Sequence, residues 1–183
     1  MKHFLASICV LLVGCGGSHP PLDTVDTVDL DRYMGTWYEI MRLPNSFQSD
    51  CWNSTAEYEI IDSETVRVIN RCREDSVRGE ESSVTGKAWV VEGSNNSKLK
   101  VSFFWPFKGD YWILELDENY QWVAVGAPSR EYLWIMARQP RWDAVPLEDL
   151  KRRLAAKGFD VSKLIATNNY PVAIRAAAPP ESR

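Results

Sequence analysis

The sequence predicts an all-β protein, an eight-stranded antiparallel up-and-down β-barrel with a C-terminal α-helix packed on its outside. Three observations carry this. Between Trp37 and Arg138, apolar and polar residues alternate with a period of two in a succession of short segments, as in sheets with one buried and one wet face. Gly, Asn, Asp, Ser and Pro punctuate those segments, so successive strands join through short turns. Only after Arg138 does the period change, to an apolar stripe with helical spacing. A sheet of eight strands laid in order has two free edges, and closing it into a barrel removes them.

Taken in order, Leu30 to Met34 suits a helical turn, and the first strand runs from Trp37 to Arg42. A loop from Leu43 to Asn53 follows, with Pro44, Asn45 and Phe47. The second strand, Thr55 to Ile61, sets Ala56, Tyr58 and Ile60 against Thr55, Glu57 and Glu59. After Asp62-Ser63-Glu64 the third, Thr65 to Cys72, sets Val66 and Val68 against Arg67. A polar linker from Arg73 to Ser82 leads to the fourth, where Val84, Gly86, Ala88 and Val90 share a face. Gly93-Ser94-Asn95-Asn96 turns into the fifth, whose Leu99, Val101 and Phe103 point inward. The loop Trp105 to Asp110 is unusually aromatic for a turn. The sixth strand is Tyr111 to Leu116, the seventh Trp122 to Val125 and the eighth Tyr132 to Arg138, with Tyr132, Trp134 and Met136 on one side. The helix, about 146–157, has Glu148 and Asp149 in its first turn, where acids favour the helix dipole, and Gly158 at its end. Its stripe is Leu147, Leu150, Leu154 and Ala155. Tyr170-Pro171-Val172 reads as a last short strand closing a barrel domain of 30–172, and 173–183 as a loose tail.

A net charge of −4 argues against nucleic acid or an anionic membrane surface as the main partner. Eight Trp, seven Tyr and six Phe suit an apolar pocket as well as plain core. The alternation places Glu39, Met41, Ala56, Tyr58, Val66, Val68, Val84, Gly86 and Ala88 inward. On the later strands it adds Val101, Phe103, Tyr111, Ile113, Val123, Val125, Tyr132 and Trp134. Small residues at Ala56, Gly86 and Ala88 leave room that larger neighbours border, although the same mixture fits a filled barrel equally well. Catalytic signatures are missing. The only histidines, His3 and His19, precede the barrel, so neither a Ser-His-Asp triad nor a histidine metal cluster is available in it. No phosphate-cradling glycine loop occurs, and no cofactor is implied.

The first residues do not belong to the fold. Lys2 and the apolar run Phe4 to Val13 suit a secretory signal, 1–14. Leu12-Val13-Gly14-Cys15 resembles the lipobox of bacterial lipoproteins. That resemblance implies cleavage before Cys15, lipidation of its thiol, and a tether over 15–29. Several acyl chains would anchor firmly, since each buried CH₂ contributes about 0.8 kcal/mol. Gly16 stands where inner-membrane lipoproteins carry Asp, so the implied destination is the outer membrane, facing the periplasm. With Cys9 removed and Cys15 acylated, Cys51 and Cys72 remain. An oxidising compartment and the hairpin between them favour a disulfide over two buried thiols.

Asp31-Arg32-Tyr33-Met34-Gly35-Thr36-Trp37-Tyr38-Glu39 resembles the first signature of the lipocalins, built on Gly-x-Trp. Further likeness lies in Lys100-Val101-Ser102-Phe103-Phe104-Trp105-Pro106-Phe107, in Tyr132 to Arg138 and in Gly158-Phe159-Asp160-Val161. Together these resemble the bacterial outer-membrane lipocalins and apolipoprotein D. The resemblance implies that Arg138 lies across Trp37 to close one end of the barrel, where a guanidinium can stack on the indole. It also implies a cavity holding a fatty acid or a lysophospholipid, with no catalytic residue. The expected contacts are Phe47 at the mouth, Ala56, Tyr58 and Val66, then Val84, Val101 and Phe103, then Tyr111, Val125, Tyr132 and Trp134. Phe47, Trp105 and Phe107 would form an apolar rim, with Arg42 and Lys108 available to an anionic head. Exposed rim aromatics also suit a homodimer contact or a membrane-touching surface. Two other functions compete: a lipocalin-type enzyme using an inward carboxylate such as Glu39, and a structural envelope lipoprotein with a filled barrel.

Overall fold

The computed structural model describes residues 19–167. Eight antiparallel strands close on themselves: β1 (Gly35–Arg42), β2 (Cys51–Ile60), β3 (Thr65–Glu74), β4 (Glu81–Val90), β5 (Lys98–Ser102), β6 (Gly109–Leu116), β7 (Trp122–Gly126) and β8 (Leu133–Ala137). Each pairs with its neighbour in sequence, and β1 closes the ring. Its first half, Gly35 to Tyr38, pairs with β2, and its second half, Tyr38 to Arg42, pairs with β8. A two-residue strand, β9 (Ile165–Ala166), covers the edge of β1 that β2 leaves free at Met41 and Arg42. No long unpaired edge remains on β1.

The predicted alternation holds on β3, where Val66, Val68 and Cys72 are buried and Arg67 is exposed. On β6, β7, β8 and β1 both faces are buried. Ile113, Val123, Val125 and Met136 face the barrel interior with Trp37. Ile40, Leu114, Ala124, Leu133 and Ile135 face outward, under the helix α2 (Leu147–Ala156), whose Leu150 and Leu154 are fully buried against them. This double burial explains why Trp122 to Val125 and Leu133 to Ala137 read as continuous apolar runs.

Two bulges change what the alternation predicted. Between Glu39 and Met41 the pairing with β8 slips by one residue, which turns every later side chain to the other face. Met41, expected inward, joins the outer core under α2. Arg42, expected at the rim, enters the interior and is 4% exposed. A second slip between Trp52 and Thr55, with Asn53 at φ 51°, lets β2 begin at Cys51 rather than Thr55. The expected linker Arg73 to Ser82 shrinks to residues 75–80, because β3 reaches Glu74 and β4 starts at Glu81. Its polar residues are the wet face of paired strands, held by Arg73–Glu81 and Arg71–Glu57 contacts.

Residues 20–29 of the expected tether are packed. Leu22 and Val28 are buried, Val25 N–H donates to Ile113 O, and Val28 N–H donates to Asn95 O. The segment ends at the helical turn α1 (Leu30–Tyr33), capped by Asp29 and seated across the end of the barrel where β1 begins. The signal segment, Cys15, the Tyr170-Pro171-Val172 strand and the tail lie outside the described residues.

Candidate functional site

The barrel has a closed end and an open end. At the closed end the guanidinium carbon of Arg138 lies 3.8 Å from the centroid of the Trp37 ring. Its nitrogens donate to the carbonyls of Arg32 (2.7 Å), Tyr33 (3.1 Å) and Thr36 (3.0 Å), tying α1 to β1. Trp37 Nε1 donates to Tyr33 O at 2.8 Å, and its side chain is wholly buried. Gly35 sits at φ 87°, a conformation open to glycine, with Arg138 Nη1 3.5 Å from where a Cβ would be.

Above this floor lie three tyrosines. The hydroxyl oxygens of Tyr33 and Tyr111 are 2.6 Å apart, and those of Tyr58 and Tyr111 2.8 Å apart. Burial pushes the pKa of all three up, so the hydroxyls stay protonated. Tyr58 and Tyr111 were predicted inward. Tyr33 was not, since α1 is one turn long and has no periodicity to read.

A polar network spans the interior closer to the mouth. Arg42 Nη1 donates to Glu39 Oε1 at 3.3 Å, and Gln48 Nε2 donates to Glu39 Oε2 at 3.0 Å. Arg42 Nη2 donates to the Gln48 carbonyl, and Trp134 Nε1 donates to Gln48 Oε1 at 2.9 Å. Burial raises the pKa of Glu39, while Arg42 and Gln48 pull it back down. Buried Arg42 Nε and Asn70 Oδ1 have no hydrogen-bond partner among the described residues, and buried polar atoms are rarely left without one unless a ligand or water supplies it. The inward set expected from the alternation lacks Asn70, although it falls in phase with Val66 and Val68. Gln48 was not legible, because it comes from the short 3₁₀ turn Ser46–Gln48.

The expected contact residues separate by depth. Ala56, Tyr58, Val66 and Val125 are buried in the interior cluster. Val101, Phe103, Tyr111 and Trp134 border the same cluster but are only partly buried. Val84, in phase with Gly86 and Ala88, is likewise partly open. Phe47 is exposed at the mouth, its ring centroid 5.8 Å from Tyr132 and 6.3 Å from Trp134, which stack on each other. Gly86 does not leave free room. A Cβ there would lie 2.7 Å from Phe103 Cδ1, so the phenyl ring occupies that space. Arg42 is committed to Glu39 and Gln48, and Lys108 lies over the rings of Trp89 and Trp105.

The rim is braced by the Cys51–Cys72 disulfide, whose Cα atoms are 5.3 Å apart. Beside Cys51 a polar groove of about 360 Å³ runs between Ser46, Phe47, Asp50, Glu74 and Asp75. It shares only Phe47 with the expected contacts.

A family model described as a lipocalin-like domain matches residues 28–169. This chain belongs to the lipocalin family. It is 39% identical to outer membrane lipoprotein Blc of Vibrio cholerae over 163 residues, 88% of this chain and 95% of that protein. It is 36% identical to the Escherichia coli K12 protein of the same name, over 87% of this chain and 91% of that one. Mouse apolipoprotein D is 30% identical over 92% of this chain and 94% of its own. Among solved structures, insecticyanin from the tobacco hornworm superposes with a TM-score of 0.65 at 19% identity, covering 86% of this chain and 88% of its own. That likeness shows the lipocalin fold alone. Lipocalins are in general carriers of small hydrophobic ligands. In this lipocalin the Trp37–Arg138 floor and the exposed Phe47 loop lie at opposite ends of one barrel.

Proposed function

We propose that this lipocalin is an outer-membrane lipoprotein, anchored through Cys15 and facing the periplasm, that carries one fatty acid or lysophospholipid in the mouth half of its barrel. One observation carries the reading. Val101, Phe103, Tyr111 and Trp134 border the interior cluster and, with Val84, are only partly buried, whereas Trp37 is wholly buried. An acyl chain would lie against Val84, Val101, Phe103 and Tyr111, and its polar end would meet Arg42 Nε, the guanidinium nitrogen that Glu39 and Gln48 do not engage, and Asn70 Oδ1. The names of the bacterial relatives support the location. Removal of 1–14 and lipidation at Cys15 complete the proposal. Glu39 is held by two partners, so the reading assigns it to structure rather than to catalysis.

A second reading, a structural lipoprotein with a filled barrel, is favoured by the Phe103 ring over Gly86 and by the tyrosine cluster. Native mass spectrometry with lipid extraction, then displacement of a fluorescent fatty acid, separates the two. Carrier function requires a one-to-one lipid adduct and saturable displacement. Absence of both would leave the filled barrel.

A further inference from the structure

We infer that the open mouth of this barrel lies against the membrane, and that the β5–β6 loop, residues 103–108, inserts its aromatic side chains into the bilayer interface. The inference rests on the proposed anchor at Cys15. Two independent observations meet at the same end of the barrel.

The first is where the chain enters the fold. His19 sits beside Gly158, just past α2, and Pro20 O accepts a hydrogen bond of 2.7 Å from Arg130 Nη2. Arg130 belongs to the β7–β8 turn, and Arg130 Nε donates to Lys157 O at 2.9 Å. Antiparallel order places that turn at the mouth, with the β1–β2, β3–β4 and β5–β6 connections. From Pro20 the chain descends the outside, through Val25 and Val28, to the floor at α1. Only four residue steps separate Cys15 from His19, which reach at most about 14 Å. An acyl group on Cys15 therefore holds the mouth, not the floor, at the bilayer surface.

The second is what that end displays. Phe104, Trp105 and Phe107 are 73%, 75% and 77% exposed, and Phe47 is 62% exposed. Among the described residues these are the only large hydrophobic side chains more than half exposed, and all four lie on mouth loops. Trp and Phe with Lys108 beside them suit the headgroup boundary, where the rings lie in the apolar layer and the ammonium stays wet. The mouth loops carry Asp50, Asp75, Glu80 and Glu131 beside Arg78, Lys108 and Arg130. With no surplus of positive charge, insertion is apolar, and the fitting surface is zwitterionic lipid. A lipid leaving such a surface would enter the barrel without crossing water.

The test uses the lipidated full chain, its acylation checked by mass, on phosphatidylcholine vesicles carrying brominated acyl chains. Bromine quenches tryptophan emission only on close approach. In the wild type part of the emission should be quenched, unchanged by 1 M salt. Trp105→Ala should remove at least half of that quenched part. Phe104→Ser with Phe107→Ser, which keeps Trp105 but weakens insertion, should reduce it at least twofold. Thermal midpoints should hold, since these side chains are exposed. An acylated chain with no Trp105-dependent quenching overturns the orientation and leaves the anchor standing. A chain without the acyl mass overturns both. A dimer that Trp105→Ala dissociates, with no quenching in the wild type, assigns the patch to a second copy and also overturns the inference.

Discussion

Arg138 lies across the face of Trp37, its guanidinium carbon 3.8 Å from the ring centroid, and donates to carbonyls of both α1 and β1. The pair closes the barrel at the end remote from the expected ligand. Trp37→Ala should destabilise the fold by about 3–5 kcal/mol, as removal of a buried aromatic does. Arg138→Lys keeps the charge but loses the planar fork, and should cost about 1–3 kcal/mol, the range for hydrogen bonds to a charged group. Urea unfolding measures both. Lipid displacement by the Arg138→Lys protein should match wild type while it remains folded.

The Cys51–Cys72 bridge closes a loop with a sequence separation of 21. Replacing both cysteines with serine should cost about 3 kcal/mol through the freed entropy of the unfolded chain. Thiol titration of the denatured protein should find neither cysteine free before reduction. Chemical unfolding with and without reductant should show the same difference.

Glu39 and Arg42 form an ion pair with both side chains 5% exposed. Arg42→Met leaves a buried carboxylate without its partner and should cost about 3–5 kcal/mol, whereas Glu39→Gln with Arg42→Met together should cost much less. A pH dependence follows. The native pKa of Glu39 is raised, so between the unfolded and native values the native state binds more protons. Stability from this group is then fully present below the unfolded pKa and is lost as pH rises through the native one. Thermal midpoints of wild type and Glu39→Gln, compared from mildly acidic to neutral pH, should diverge in that direction.

Tyr33, Tyr58 and Tyr111 share one hydrogen-bonded cluster, and burial raises all three. Free tyrosine ionises near about 10. Above that value the unfolded state loses protons that the native cluster keeps, so the cluster's contribution to stability falls as pH rises. Ultraviolet titration should show these three of the seven tyrosines ionising only with alkaline unfolding. Tyr111→Phe, which removes both cluster bonds, should move that transition.

Gly86 meets the Phe103 ring and the Ser102 carbonyl within 2.7 Å of where a Cβ would stand. Gly86→Ala should therefore cost about 1–3 kcal/mol by overpacking. Paired with Phe103→Leu, it should recover part of that loss in a thermal melt.

Much of this lipocalin was present in its residue order. Period-two alternation placed the eight strands, the change of period placed α2, and Gly-x-Trp with Arg138 pointed to the closed end. Those signals are local, because a strand's two faces and a helix's stripe repeat along the chain itself. The Cys51–Cys72 pairing was also legible, since a hairpin brings its own arms together. What alternation could not carry was the bulge in β1, which needs an adjoining strand to slip against. That slip moves Met41 out and Arg42 in, and Arg42 is tolerable inside only because Glu39 and a loop residue, Gln48, receive it there. Packing of residues 20–29 and the seating of Tyr33 beside Tyr111 likewise depend on surfaces distant in sequence. The sequence by itself determined which segments fold and which face of each is apolar. Only the tertiary structure decided which polar groups share the interior, because a buried charge acquires its partner from another part of the chain.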